Sequence, residues 1–285
     1  MDKKFNGKAI YNPSGKAGEY SYWACNFYTG CSNGCEYCYC KKGVMAHTWS
    51  DTPKLKACFK DNAHALDIFE KELKANLPEL QKHGLFFTFT SDPFLPETVS
   101  LYVHAAYSAL LKNVPVKFLT KRADWIEGFV ETFGNRTGET VDFPNFIIPP
   151  ARGMVAFGFT LTNHDEMEPG ASPNIERIDA MRTLKVAGFQ TWASIEPVID
   201  FASGLQMIMD SSMYCDLYKI GLQSGKKYPK LDVNNFVSNI LGYFNVYRPK
   251  AKIYFKDGLL TAAGIDRDKL PTACCVGRDF NIFNI

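Results

Sequence analysis

Seven short apolar runs alternating with stretches of helical spacing constrain this chain more than any other feature of it. The runs are YSYWACN (20 to 26), GLFFTFT (84 to 90), VPVKFLT (114 to 120), GMVAFGFTL (153 to 161), FQTWASI (189 to 195), DLYKIGL (216 to 222) and AKIYFK (251 to 256). Near-continuous apolarity over this length marks strands buried on both faces. Between them, apolar residues recur at helical spacing: Leu66, Phe69, Leu73 and Leu77, then Val99, Val103, Ala106 and Leu110, then Trp125, Phe129 and Phe133. Ile175, Ile178, Met181 and Leu184 follow, then Leu205, Ile208 and Met209, and last Val233, Phe236, Val237, Ile240, Leu241 and Phe244. Pro78 is expected to stop the first of these helices. Ser172 followed by Pro173 reads as an N-cap, with Gly188 at the far end of the same helix.

Alternating strands and helices pair in parallel through right-handed crossovers, which leaves a doubly wound sheet or a barrel. The expected class is α/β: a partial (βα)6 TIM-like barrel of parallel strands with a seventh strand and a C-terminal tail. Residues 1–257 would form the barrel with its N-terminal extension, and 258–285 a tail packing on it. At 46% hydrophobic and 22% charged residues the chain is neither disordered nor fibrous. Lys+Arg 32 against Asp+Glu 30 gives no basic excess. The opening MDKKFNGK has no apolar segment behind it and no run is long enough to span a bilayer, so a cytoplasmic protein without a membrane partner is expected.

Functional groups in such folds collect at the carboxyl ends of the strands. Those ends carry Thr90, Ser91 and Asp92; Thr120, Lys121 and Arg122; Thr160, Thr162, Asn163 and His164; Ser194 and Glu196; Gln223 and Ser224; and Lys256 and Asp257. After the first strand comes GCSNGCEYCYC, which places Cys31, Cys35 and Cys38 on one tight loop with glycines at 30 and 34. Nine cysteines are an odd number, and clustering in a reducing compartment means metal or redox chemistry before it means disulfides. Three soft thiolates on one loop suit an iron-sulfur cluster first. A zinc site, with Cys40 or Cys25 as a fourth ligand, and idle cysteines are the alternatives. A cubane held by three thiolates leaves one iron open for a bound reactant.

The CxxxCxxC loop after the first strand of a partial barrel resembles that of the radical S-adenosylmethionine (radical SAM) enzymes. Within them it is most similar to the spore photoproduct lyase-like, or DNA-repair-photolyase-like, group. The resemblance rests on CSNGCEYCY, FTSD at 89 to 92, KFLTK at 117 to 121, and FTLTNHDEMEPGASPNIERIDAMRTLKVAGF at 159 to 189. It implies a 4Fe-4S cluster on Cys31, Cys35 and Cys38, with S-adenosyl-L-methionine on the fourth iron. It further implies reductive cleavage to a 5'-deoxyadenosyl radical that abstracts hydrogen from a substrate. A reductase or flavodoxin-type protein would donate the electron. By the same resemblance Lys121 would meet the methionine carboxylate, Ser91 and Asp92 the amino group, Thr160 and Thr162 the ribose or carboxylate, and Tyr37 the adenine. Tyr39 and Glu196 are expected at the reacting centre. The competing class is a non-catalytic iron-sulfur or zinc protein for electron transfer or scaffolding.

Two departures bear on the substrate. The family pattern has a hydrogen-donating cysteine directly before the TSD segment, where this chain has Phe89, and the lyase's lesion-binding hairpin has no counterpart in residues 220 to 285. Cys215, Cys274 and Cys275 are read mainly as packing or incidental residues, with a hydrogen donor folding over the barrel mouth as the alternative. Nucleic acid is the candidate substrate class, on the group's name and on nine Lys against four acidic residues in the first 60; a solvated lysine-rich surface is the plainer account. Histidines 64, 83, 104 and 164 are expected to be structural.

Overall fold

The computed structural model of the protein describes residues 4–126 and 149–284. Its strands in chain order are β1 (Ile10–Tyr11), β2 (Ala24–Cys25), β3 (Tyr28–Thr29), β4 (Lys54–Leu55), β5 (Leu85–Phe87), β6 (Val116–Thr120), β7 (Val155–Thr160), β8 (Gln190–Val198), β9 (Leu217–Leu222) and β10 (Lys252–Phe255). Eight of them form one sheet in the order β1-β2-β5-β6-β7-β8-β9-β10, and β3 and β4 form a small antiparallel ribbon. From β2 to β10 every pairing is parallel; β1 alone is antiparallel, on the edge beside β2. All seven expected strands are present, so the α/β class with a parallel, barrel-like sheet is the fold of the chain. The first is cut to two residues because Tyr20 and its neighbours leave the sheet.

The helices are Asn62–Ala75, Leu77–His83, Val99–Leu111, Asn174–Val186, Phe201–Ser211, Lys230–Tyr247 and Asp257–Ala263. Phe129 and Phe133 of the expected third stripe lie outside the described residues. Two local expectations are corrected. Leu77 opens a second helix rather than ending the first, because Asn76 terminates the first turn-wise and Pro78 sits where a new helix tolerates it. Ser172 does not cap: its hydroxyl accepts from the Ala123 N–H at 2.9 Å, and Pro173 takes the cap position. Gly188 ends that helix with φ +87°, as expected.

Alternation along the strands separates two cores. Phe87, Phe118, Phe157, Ile195 and Ile220 pack outward against the helices. Ala24, Phe86, Ala156, Trp192, Leu217 and Tyr254 face inward, where Phe280, Ile282 and Phe283 from the chain's last turn join them. The two edges, β1 and β10, do not pair with one another among the described residues. The 3-10 turn Ala17–Glu19 bridges them. Glu19 accepts from Tyr254 Oη at 3.0 Å and from the Asp257 N–H at 2.7 Å, while Lys219 Nζ donates to the carbonyls of Glu19 and Tyr20 at 2.6 and 2.9 Å. Charge and hydrogen bonds, rather than a strand ladder, close this side.

The inner face is filled by Trp192, whose indole lies across β7. A Cβ at Gly158 would stand 2.1 Å from the indole, closer than any packing allows. Gly158→Ala should therefore displace Trp192 and cost about 1–3 kcal/mol, read as a lowered midpoint in urea or thermal unfolding. An unchanged midpoint would show that the indole does not fill this space.

Candidate active site

The loop after β2 turns back over the carboxyl ends of the strands because glycines let it. Gly30 has φ +101°, and a Cβ there would stand 2.5 Å from the carbonyl oxygens of Ser50 and Thr52. The loop is then tied down from several sides. Gly30 N–H donates to Thr90 O at 3.0 Å, Cys31 N–H to Ser50 O at 3.1 Å, Glu36 N–H to Met167 O at 3.0 Å, and Gly170 N–H to Asn33 O at 3.0 Å. Under it lies a cavity of about 300 Å³ lined by Cys31, Cys35 and Cys38 together with Tyr37, Tyr39, Ser91, Asp92, Lys121, Thr160 and Glu196. Residues from five separate chain segments, expected at one rim, thus meet in one space.

Thr162 is not among the lining residues. Its N–H donates to Asn174 Oδ1 at 2.8 Å and its hydroxyl accepts from the His164 N–H at 3.3 Å, so it shapes the turn after β7. Cys25 faces the helices in the outer core and has no place at the cavity, whereas Cys40 lines it and points its thiol at Phe89 O, 3.7 Å away. Cys274 and Cys275 lie alongside β10 and Cys215 is buried before β9; none of the three lines the cavity.

Beside the cysteines lies a buried ionic cluster whose Glu168 and Arg177 entered the sequence analysis only inside the 159 to 189 block. Glu168 and Arg177 have fully buried side chains and pair at 2.7 Å. Glu168 also meets Lys121 Nζ at 3.0 Å and accepts from the Tyr37 hydroxyl, to which Lys121 Nζ donates at 2.7 Å. Arg177 uses its other N–H groups on Ser172 O at 2.7 Å and Thr160 O at 2.8 Å. Burial pushes the Glu168 carboxyl up despite Arg177, and pulls the Lys121 ammonium down despite the nearby thiols.

Asp92 was expected to receive a ligand's amino group. Its oxygens instead accept from Asn33 Nδ2 (2.8 Å), the Lys121 N–H (2.8 Å), Thr120 Oγ1 (2.6 Å) and the Phe94 N–H (3.0 Å), so it anchors the rim. Ser91 differs: its buried Oγ has no partner among the described residues, and neither do Asn33 Oδ1 and Trp49 Nε1 in the same wall.

Across the cavity, Glu196 accepts from Tyr20 Oη at 2.5 Å and from Lys256 Nζ at 2.7 Å, and Tyr20 Oη also meets Ser194 Oγ at 2.7 Å. Burial and the Glu196 carboxylate push the Tyr20 phenol well above its ordinary value, so it stays a neutral donor. Tyr39 is 56% exposed, with its hydroxyl turned to Phe89 O. The Phe89 ring stacks on Phe86 at 4.4 Å. Tyr20 and Trp49 carried no signal in sequence, whereas Lys256 was visible as a strand-end residue.

The thiols differ by environment. Burial pushes Cys31 and Cys35 up, while Cys38 is drawn down to about 6, first by a hydrogen bond from the Cys40 side chain and then, against burial, by the Cys40 and Lys41 N–H groups and Lys121. Among the described residues no three His, Cys, Asp or Glu side chains converge as ligands of one metal ion. A cubane asks for something wider, one thiolate on each of three irons. The donor set, the orphaned Ser91 hydroxyl and the Lys121 ammonium fit a cluster with a polar reactant beside it.

Arg177→Met would leave the Glu168 carboxylate buried without its main partner and should cost about 3–5 kcal/mol, with Glu168→Gln in the same chain recovering part of it; urea unfolding of the single and double variants reads both. His164 makes a separate ionic pair of contacts, to Glu166 and Asp200, each at 2.7 Å. Partial burial lowers its pKa, but these two carboxylates outweigh that and leave it raised. The contribution is present in full below about 6.5 and is lost as pH rises through the raised folded value. NMR titration should place His164 above its ordinary value, and Asp200→Asn, which keeps a helix cap, should bring it back down.

No family model and no curated protein matches the sequence. Among solved structures, spore photoproduct lyase complexed with dinucleoside spore photoproduct matches with a TM-score of 0.59 and 13% identity over 86% of this chain and 79% of that one. Streptococcus suis SuiB bound to S-adenosylmethionine matches with a TM-score of 0.50 and 9% identity over 84% of this chain and 48% of that one, so this chain spans about half of SuiB's length. The fold that the four sequence blocks implied is the fold found: this chain is built on the same architecture as spore photoproduct lyase and SuiB.

Proposed function

We propose that this chain is a radical SAM enzyme of the spore photoproduct lyase-like group. The observation that carries the reading is that Cys31, Cys35 and Cys38 line the same cavity as Ser91, Lys121, Thr160 and Glu196. The three thiolates would hold a 4Fe-4S cluster and the polar wall would hold S-adenosyl-L-methionine. The chemistry this pair supplies when bound is one-electron cleavage of the sulfonium, which starts hydrogen abstraction.

The chain's own residues have positional tasks. Lys121 is steadied by Tyr37 and Glu168, which aims its ammonium at an incoming carboxylate and prevents it from closing on the thiols. Ser91 offers an unused hydroxyl, and Thr160 is fixed through its carbonyl by Arg177. Tyr37 spends its hydroxyl on Glu168 and carries the Lys121 ammonium 4.9 Å from its ring centre, so a flat ligand would take the face that Lys121 does not cover. Glu196, held by Tyr20 and Lys256, and Tyr39 would border the substrate. Phe89 presents a stacked ring where the family pattern has a thiol, so the product's hydrogen would come from elsewhere than in the lyase. Nucleic acid is the substrate class this reading carries, a reductase or flavodoxin-type protein its electron donor, and 258–285 a tail serving the barrel.

Anaerobic reconstitution with iron and sulfide tests the reading. Wild type should gain visible thiolate-to-iron absorbance and release 5'-deoxyadenosine with dithionite. Cys31→Ala, Cys35→Ala and Cys38→Ala should each lose the absorbance, whereas Cys274→Ala should keep it. Lys121→Met should keep the cluster and bind S-adenosylmethionine about tenfold more weakly. Stoichiometric zinc without the absorbance, or equal loss in Cys40→Ala, would favour the non-catalytic metal protein. Fluorescence anisotropy with single- and double-stranded DNA should show salt-dependent binding; none at low salt would remove nucleic acid.

A further inference from the structure

A second cavity, of about 240 Å³, lies behind the first, and Tyr20 lines both. Its walls come from the segment after β1, from His83 just before β5, from the inner faces of β6 and β9, and from residues 278–281 of the tail. Four of the lining residues, Lys4, Lys117, Lys219 and Arg278, are permanently basic types, and Asp279 is the one acid among them.

Lys117 is the anomaly. It stands on β6 between Val116 and Phe118, which face the outer core, so its side chain enters the inner face. Its ammonium has no hydrogen-bond or carboxylate partner among the described residues, and desolvation alone perturbs it. Lys117 is half-buried, and desolvation with no partner to offset it pulls its ammonium down to about 8. Lys219 stands on the same wall; burial first, then Lys117 and Lys256, pull its ammonium well below the ordinary value, and its two hydrogen bonds, to the Glu19 and Tyr20 carbonyls, are to neutral acceptors. Ser21 is 5% exposed and its Oγ has no partner among the described residues. Gly18 lets the Arg278 guanidinium lie close, since a Cβ there would stand 2.8 Å from its terminal nitrogen.

Lys117, Lys219, Arg278 and the Ser21 hydroxyl thus face one cavity in which Asp279 is the one acid, so an anion placed between them would meet donors on several sides. We propose that this cavity is a binding site for an oxyanion of the phosphate class, with Lys117, Lys219 and Ser21 as its inner ligands and Arg278 at its mouth. The site is independent of the cluster and of the function proposed above. It shares only Tyr20 with the active cavity, so its occupant would steady the turn that carries Tyr20 to Glu196.

The test uses the full chain, folded and kept under anoxia, in thermal unfolding with inorganic phosphate, with adenosine monophosphate, and with potassium chloride at matched ionic strength. Phosphate or the nucleotide should raise the midpoint saturably above chloride. The stronger of the two arms says whether the group arrives free or as part of a larger ligand. Lys117→Met should weaken the dependence about tenfold or more and Ser21→Ala several-fold, with far-UV circular dichroism unchanged. Because Lys117→Met removes a buried charge and shifts the baseline midpoint, the ligand-dependent increment is what is compared, and titration calorimetry with phosphate supplies the same ratio independently. No saturable increment over chloride in wild type, or equal increments in Lys117→Met, would overturn the site.

Discussion

The buried Glu168 carboxylate is the joint on which the cavity depends. It follows β7, yet it touches the cysteine loop through Tyr37, the end of β6 through Lys121, and the helix Asn174–Val186 through Arg177. A carboxylate in this position is tolerable only because guanidinium, ammonium and phenol converge on it, and each of those three would itself be costly there without it. The cluster is mutually conditional: removing one member strands the rest. That fixes the loop bearing Cys35 and Cys38 against the sheet, which hydrogen bonds of a glycine-rich loop alone would not do.

The same device recurs on the opposite side. Glu19, Glu196, Lys219 and Lys256 crowd around Tyr20 and Tyr254, with Lys256 Nζ 4.5 Å from the Tyr20 ring centre. Here the ionic cluster stands where no strand pairing joins the sheet's edges among the described residues. A parallel sheet that does not close leaves two rows of unpaired backbone groups. This chain covers them with a charged turn and with a tail whose Phe280, Ile282 and Phe283 enter the inner core.

What the sequence disclosed and what it hid follow from range. Strands such as Val155–Thr160 and Gln190–Val198 are long apolar runs between clear helical stripes, so periodicity finds them without any contact information. β1, β3 and β4 have two residues each and are defined by partners far along the chain, which no local pattern records. The cysteines were legible because three thiols at fixed spacing share one loop. Glu168, Arg177 and Tyr20 were not, since each looks like an ordinary surface or strand residue until the fold buries it. Thr162 shows the converse error: its place beside Thr160 suggested a shared role, but the chain turns between them and takes its side chain away from the cavity.

The two ionic clusters also decide what kind of reactant the cavity suits. One wall holds Lys121 and the free Ser91 hydroxyl, the other holds Glu196, and Phe89, Leu119 and Leu222 lie between them. Polar groups at the two ends with an apolar span between them favour a reactant that is charged or hydrogen-bonding at its extremities and flat or apolar in its middle. Phe89 sharpens this, because its ring is held by Phe86 and Tyr20 and cannot swing away to admit a bulkier polar group. A thiol at the same position would be small and mobile and would open that span. A fixed aromatic side chain at this position therefore sets the shape of the space as well as its chemistry.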